Sequence, residues 1–151
     1  MKISKIISPD LIKIGLRSRT KTDLLLELLD LLVARGQVHD REKVLKALLA
    51  RESQQSTGLE SGIAVPHAKT DDVSLLQLVV GVSKEGMDFG SLDARPSKLF
   101  FLMLAPPGAS GPHIEALSEI ARLCSSDEAV VRMMNAESSA ALYDIIIGEL
   151  G

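Results

Sequence analysis

Two of the chain's three histidines, His67 and His113, each stand directly after a proline. His67 follows "GIAVP" (62–66), a short apolar run that reads as a buried strand closed by a residue unable to donate to a ladder. The imidazole is thereby expected on a stiff corner where strand becomes loop. His113 falls in the first turn of a helical segment, with Pro112 suited to the first helical position. In α/β sheets, ligand sites gather at strand ends and helix N-termini, where free N–H groups point outward. If the strand before His67 and the strand before His113 are parallel neighbours, the two imidazoles meet at one sheet edge. Phosphoryl transfer is the chemistry that suits such a pair. Neutral imidazole is a good nucleophile, because its unperturbed pKa is about 6.5. The transferred group carries negative charge on three oxygens, so positioning and charge stabilisation do most of the work. Helix amides, the hydroxyls of Ser56 or Thr57, and the guanidinium of Arg51 are fitting donors for it.

Taken singly, each of these residues has a plainer reading. His67 alone is a surface turn residue, and His113 alone fills a helix start. Arg51 and Glu52 alone are a solvated helix end, and Ser56-Thr57-Gly58 alone is an ordinary turn. His39 precedes a helix cap and reads as surface. Cys124 sits on an apolar stripe and reads as core. No glycine-rich phosphate loop, CxxC pair or HExxH motif is present.

The elements that must position these residues follow from periodicity. Thr20 and Asp23 mark a helix start; Leu25, Leu28, Leu29 and Leu32 continue it, and Gly36 stops it. Asp40 caps a second helix with Val44, Leu45, Leu48 and Leu49 as its buried stripe. Strand character dominates next, in "GIAV", "LLQLVVGVS" (75–83) and "SKLFFLMLA" (97–105), with a further strand in "LIKIGL". The run at 97–105 is apolar almost throughout, as in a central strand covered on both faces. The intervening "KEGMDFGSLDARP" reads as loop with a short edge strand. After "APPGASG" the period is helical again, with Ile114, Leu117, Ala121 and Cys124 on one face. Asp127 and Ser138 are expected to cap two last helices, the second carrying Leu142, Ile145, Ile146 and Leu150. This order predicts an α/β fold, one mixed sheet with helices on both faces.

Bulk properties narrow the function further. The 151 residues fit one domain, with 46% hydrophobic and 25% charged content. A net charge of −3, scattered cations and 3% aromatics argue against nucleic acid and anionic membrane surfaces. No apolar run approaches the roughly 18 residues of a membrane span. The N-terminal segment, broken by Pro9, Asp10 and Lys13, does not read as a signal peptide. A single cysteine excludes internal disulfides and suits a reducing, cytoplasmic setting.

What the residues leave open singly, their joint order resolves. The stretch "RESQQSTGLESGIAVPHAK" (51–69) resembles the signature of type-2 EIIA domains of the bacterial phosphoenolpyruvate-dependent phosphotransferase system, the mannitol, fructose and nitrogen-regulatory class. "DFGSLDARPSKLFFLMLAP" and "HIEALSEIARL" resemble that family's turn, central strand and second-histidine helix, so the likeness runs over essentially the whole chain, 1–151, as a single domain. The resemblance implies a five-stranded mixed sheet between helices. It makes His67 the nucleophile, attacking through Nε2, with phosphate coming from an HPr-like carrier. His113 becomes its neighbouring imidazole and Arg51 the arginine near the site, while Thr57 and Ser56 become hydroxyl or amide donors to the phosphate. No metal or organic cofactor is implied, and the onward partner is an EIIB component or a regulated target protein. Two departures stand out: Gly58-Leu59-Glu60 where the family often has Gly-x-Gly, and Asp93-Ala94 where it often has Asp-Gly.

The chain's length and its "FGSLDARP" loop lean towards a nitrogen-regulatory phosphocarrier. The alternatives are an EIIA component of fructose or mannitol uptake and a binding module that acts without phosphorylation. A metal site on the two histidines with Asp71 or Asp72 is the weakest rival, lacking fixed carboxylate spacing.

Overall fold

In the computed structural model, which describes residues 2–151, two single-turn 3-10 segments (Ile3–Lys5, Pro9–Leu11) lead into the regular elements. These run β1 (Ile12–Ile14), α1 (Lys21–Ala34), α2 (Arg41–Gln54), β2 (Ile63–Ala64), β3 (His67–Lys69), β4 (Gln77–Met87), β5 (Ser97–Ala105), α3 (Ser110–Leu123), α4 (Asp127–Met134) and α5 (Ser139–Leu150). β5 is the apolar run expected at the centre, and every residue from Leu99 to Ala105 is buried. Such a strand has a covered neighbour on each face. Alternation sends Phe101 and Met103 into the core beneath α3, α4 and α5. Phe100 and Leu102 go to the opposite core, beneath α1 and α2. The five-stranded sheet is mixed: β1 runs parallel to β4, β4 antiparallel to β5, and β2 and β3 both parallel to β5. It is the α/β architecture read from the sequence, with helices on both faces.

Capping accounts for where the helices begin. The side chains of Thr20, Asp40 and Ser138 accept from the backbone N–H three residues on, opening α1, α2 and α5. For α4 the expected cap, Asp127, is displaced by one: Ser126 accepts from the Ala129 N–H, and Asp127 is the first helical residue. There its carboxylate faces the positive end of the helix dipole. α3 starts at Ser110, so Pro112 is its third residue and His113 its fourth.

The buried face of α3 also differs from expectation. Ile114 is 63% exposed, and the core takes His113, Ala116, Ile120 and Leu123, a stripe one position earlier than the apolar one. Leu117, Ala121 and Cys124 instead line a surface hollow. Strand β4 extends into the expected loop as far as Met87, with a register break between Val82 and Met87. The Asp93-Ala94 turn places Ala94 at φ 58°, left-handed backbone that glycine would occupy without strain.

Candidate active site

His67 opens a strand instead of standing where a strand becomes loop. β2 pairs with Leu99 and Phe100, and β3 resumes on the same edge of β5, placing His67 opposite Met103. Val65 and Pro66 are thus a break within one interrupted edge strand, and the Pro66 carbonyl still accepts from the Met103 N–H. Proline removes a donor and keeps an acceptor, so the ladder is interrupted only briefly. At the break, the Val65 carbonyl lies 2.8 Å from Nδ1 of His67. A carbonyl only accepts, so Nδ1 carries the proton and Nε2 keeps a free lone pair.

The parallel pairing of β3 with β5 brings the two imidazoles together, as the sequence suggested. Their ring centroids are 5.6 Å apart with planes at 72°. His113 is 8% exposed, and its buried Nε2 has no hydrogen-bond partner among the described residues. Burial lowers its pKa from the ordinary histidine value, and the charges of His67 and Lys69 lower it further. It is therefore neutral at pH 7.

Arg51 lies in the last turn of α2, where its Nη1 donates to the Gln55 carbonyl at 2.7 Å. Basic side chains commonly satisfy carbonyls at a helix C-terminus. No carboxylate pairs with Arg51 among the described residues, which leaves its other N–H groups free. The guanidinium and His67 together line two hollows. One, about 330 Å³, also has Ala47, Ala50, Gln54, Lys69 and His113 in its wall. The other, about 300 Å³, is walled by Gln55–Leu59, by Leu92, by Leu117 on α3 and by Cys124 just after it. Neither contains an acidic residue, in a chain with 20 of them. Glu60, the departure that could have repelled a phosphate, lines neither hollow.

Thr57 and Ser56 are placed differently from expectation. Thr57 is 4% exposed, with its hydroxyl bonded to Glu52, its N–H directed at the same carboxylate (3.2 Å and 3.3 Å), and its carbonyl taken by the Val65 N–H. Ser56 Oγ donates to the Phe89 carbonyl at 2.5 Å and accepts from the Gly58 N–H. Both side chains tie the 56–58 loop to its surroundings, and neither is free to donate into a hollow. Gly58 has its own reason to be there: a Cβ would lie 2.9 Å from the Ser91 Cα.

Glu52 and Lys21 escape sequence reasoning. Glu52, read as solvated, is buried, and Lys21 meets its carboxylate at 2.9 Å while lying over the Phe89 ring. Nothing local signals this, because Lys21 is 31 residues away. Lys69 was not singled out either, although its signal is local: two residues after His67 on a strand, it shares that residue's side of the sheet. The carboxylates of the metal rival lie elsewhere. Asp72 accepts the N–H groups of His39 and Asp40, and Asp71 pairs with Lys43. His39 is exposed and away from the site. No helix among the described residues is long and apolar enough to cross a membrane.

Known proteins resemble this chain over nearly its whole length. Residues 5–148 match the family described as phosphoenolpyruvate-dependent sugar phosphotransferase system, EIIA 2. The fructose-specific EIIA component of Haloferax volcanii is 38% identical over 95% of this chain and 94% of its own length. The fructose-specific EIIABC component of Bacillus subtilis is 40% identical over 97% of this chain, which spans only 23% of that longer protein. Among solved structures, the nitrogen regulatory protein IIA-Ntr of Neisseria meningitidis superposes with a TM-score of 0.88 at 29% identity, covering 95% of this chain and 98% of that one. With its interrupted edge strand, paired imidazoles and acid-free hollows, the chain belongs to the type-2 EIIA family of the phosphotransferase system, whose members are phosphotransfer components.

Proposed function

We propose that this protein is a phosphocarrier that accepts a phosphoryl group on Nε2 of His67 from the phosphohistidine of an HPr-like donor. One observation carries the reading: Nδ1 of His67 is held by the Val65 carbonyl, leaving Nε2 as the only nucleophilic nitrogen, in surroundings without carboxylates. In the transfer, the lone pair of Nε2 forms the new N–P bond as the donor's N–P bond breaks. That bond's electron pair returns to the donor nitrogen, whose ring keeps a proton on its other nitrogen and leaves as neutral imidazole. His67 retains its Nδ1 proton, and the ring becomes cationic. A carbonyl 2.8 Å from that proton stabilises the charge as it develops.

Arg51 and His113 meet the phosphoryl oxygens rather than the reacting nitrogen. The free N–H groups of Arg51 form a planar fork suited to two oxygens. The unpartnered Nε2 of His113 is a buried polar atom that an oxygen of the incoming group would satisfy, with the proton placed on that nitrogen. Thr57 and Ser56 act one step back, holding the loop that forms a wall beside Arg51.

Identities of 40% and 38% to fructose-specific components favour onward transfer to an EIIB acceptor in sugar uptake. The likeness to IIA-Ntr favours a regulatory role read from the phosphorylation state. Both share the step at His67. Incubation with phosphoenolpyruvate, enzyme I and HPr should add one acid-labile phosphate, detected by intact mass, and His67→Ala should remove it. A label that survives acid or persists in His67→Ala would refute the reading. Adding a cognate EIIB then separates the roles: rapid loss means uptake, and persistence means regulation.

A further inference from the structure

Building on the reading of His67 as the phosphorylated residue, we propose that Lys69 supplies a second cation, beside Arg51, for the phosphoryl group. Its effect is on how tightly the protein holds that group against return to the donor. The placement begins with the strand. β3 alternates a half-buried His67, a buried Ala68 and an exposed Lys69, so the imidazole and the ammonium leave the same side of the sheet. Both side chains line the 330 Å³ hollow that also holds Arg51 and His113, and these four are its only titratable residues. On the α2 side, beside Arg51 and Gln54, Ala47 and Ala50 are short enough to leave that space open.

The hollow is also kept free of neutralising charge. Lys13, Lys21 and Lys43 are each paired with a carboxylate, whereas Lys69 has none within ion-pair distance among the described residues. Two acids follow it after Thr70 in the sequence, and both are committed elsewhere. Asp71 pairs with Lys43 near the start of α2, and Asp72 is held by the backbone N–H groups of His39 and Asp40. The charge of Lys69 is already felt at His113, where it is among the causes of the lowered pKa. A dianionic phosphoryl group on His67 would bring two negative charges to the same hollow.

The bonds that form and break do not involve Lys69. Its ammonium stabilises the product, the phosphorylated protein. Flexible ammonium groups suit this, because they follow a charge without demanding one geometry.

The test uses the full chain phosphorylated by enzyme I and HPr, comparing wild type with Lys69→Gln, Lys69→Arg and, as control, Lys46→Gln, an exposed lysine of α2 outside both hollows. Two quantities are read: the equilibrium constant for transfer from phospho-HPr, and the pH titration of the phosphohistidine ³¹P shift. Lys69→Gln should lower the equilibrium constant about three- to tenfold. It should also raise the pKa of the phosphoryl oxygens, since a lost cation disfavours the dianion. Lys69→Arg should restore both, and Lys46→Gln should change neither. Wild-type equilibrium and wild-type ³¹P titration in Lys69→Gln, with His67 phosphorylated, would overturn the role of Lys69 alone. Failure of wild type to take phosphate on His67 would instead overturn the reading beneath it.

Discussion

On either side of His67 and Arg51 lie two hollows of similar size and different lining. Towards α2 the wall carries two cations and two imidazoles. Towards α3 it is apolar, with Leu59, Ile63, Val65, Leu92, Leu117 and Ile120. Its one thiol, Cys124, is pushed up by burial to about 12 and is chemically quiet at neutral pH. The contrast teaches that a phosphocarrier has two problems that one surface solves badly. Holding a phosphoryl group needs fixed positive and polar groups. Releasing a protein partner quickly needs a small apolar contact without buried ion pairs. Here the imidazole and guanidinium stand on the ridge between the two solutions.

The comparison breaks most readily at the charged hollow. His113→Ala and Arg51→Lys should slow single-turnover phosphorylation at saturating donor on the order of 10²–10⁴-fold while leaving His67 the phosphorylated residue. Lysine keeps the charge of Arg51 but lacks its planar fork. Rapid-quench time courses at equal donor decide it, and a wild-type rate in His113→Ala would return that residue to the role of a helix-start histidine.

Next in size is the ridge's support. Removing the carboxylate in Glu52→Ala leaves the buried hydroxyl and amide of Thr57 unpaired and Lys21 without its partner. A loss of about 2–3 kcal/mol in urea unfolding is expected, at the low end for a broken buried pair because Lys21 remains 30% exposed. An unchanged midpoint would mean that the 56–58 loop is held by other contacts.

At the apolar hollow the effect should be smaller and of another kind. Leu92, 65% exposed, and Leu59, 42% exposed, belong to loops rather than core. Leu92→Ser should raise the donor KM about tenfold, with the saturated transfer rate and the melting temperature nearly unchanged. A fall in the saturated rate with constant KM would erase the division of labour.

The smallest expected effect is on pH. The folded-state pKa of His113 is lowered, chiefly by burial. Above the unfolded value near 6.5 the two states bind the same protons, so the full stability is present; as pH falls below it, the unfolded chain binds a proton that the folded site resists, and stability declines. Melting curves from pH 7 to 5 should show this decline, and His113→Asn should flatten it.

The legible parts of the molecule were those in which adjacent residues decide the outcome. Leucine spacing located α1, a continuous apolar run located β5, and side-chain caps located three helix starts. The imidazoles were legible only through motifs taken together, since each alone has an ordinary reading. What stayed hidden depended on distant partners. The strand's resumption at His67 requires Met103–Ala105 of β5, and the burial of Glu52 requires Lys21. On α3 the core face is carried by His113 and small Ala116 beside Ile120, so hydrophobicity alone selected the neighbouring stripe.

The break at Val65–Pro66 also bears on association between sheets. A sheet edge normally offers a row of N–H and C=O groups on which a foreign strand can nucleate. At this edge the row never becomes long. Beside β2, the Leu59 N–H and the Thr57 carbonyl already bond Ile63 and Val65, and Pro66 presents no N–H. The carbonyl of Val65, which would complete the row, is occupied by an imidazole. The contact that fixes the proton of His67 on Nδ1 thereby also denies a template for strand addition, which protects this edge from edge-to-edge aggregation.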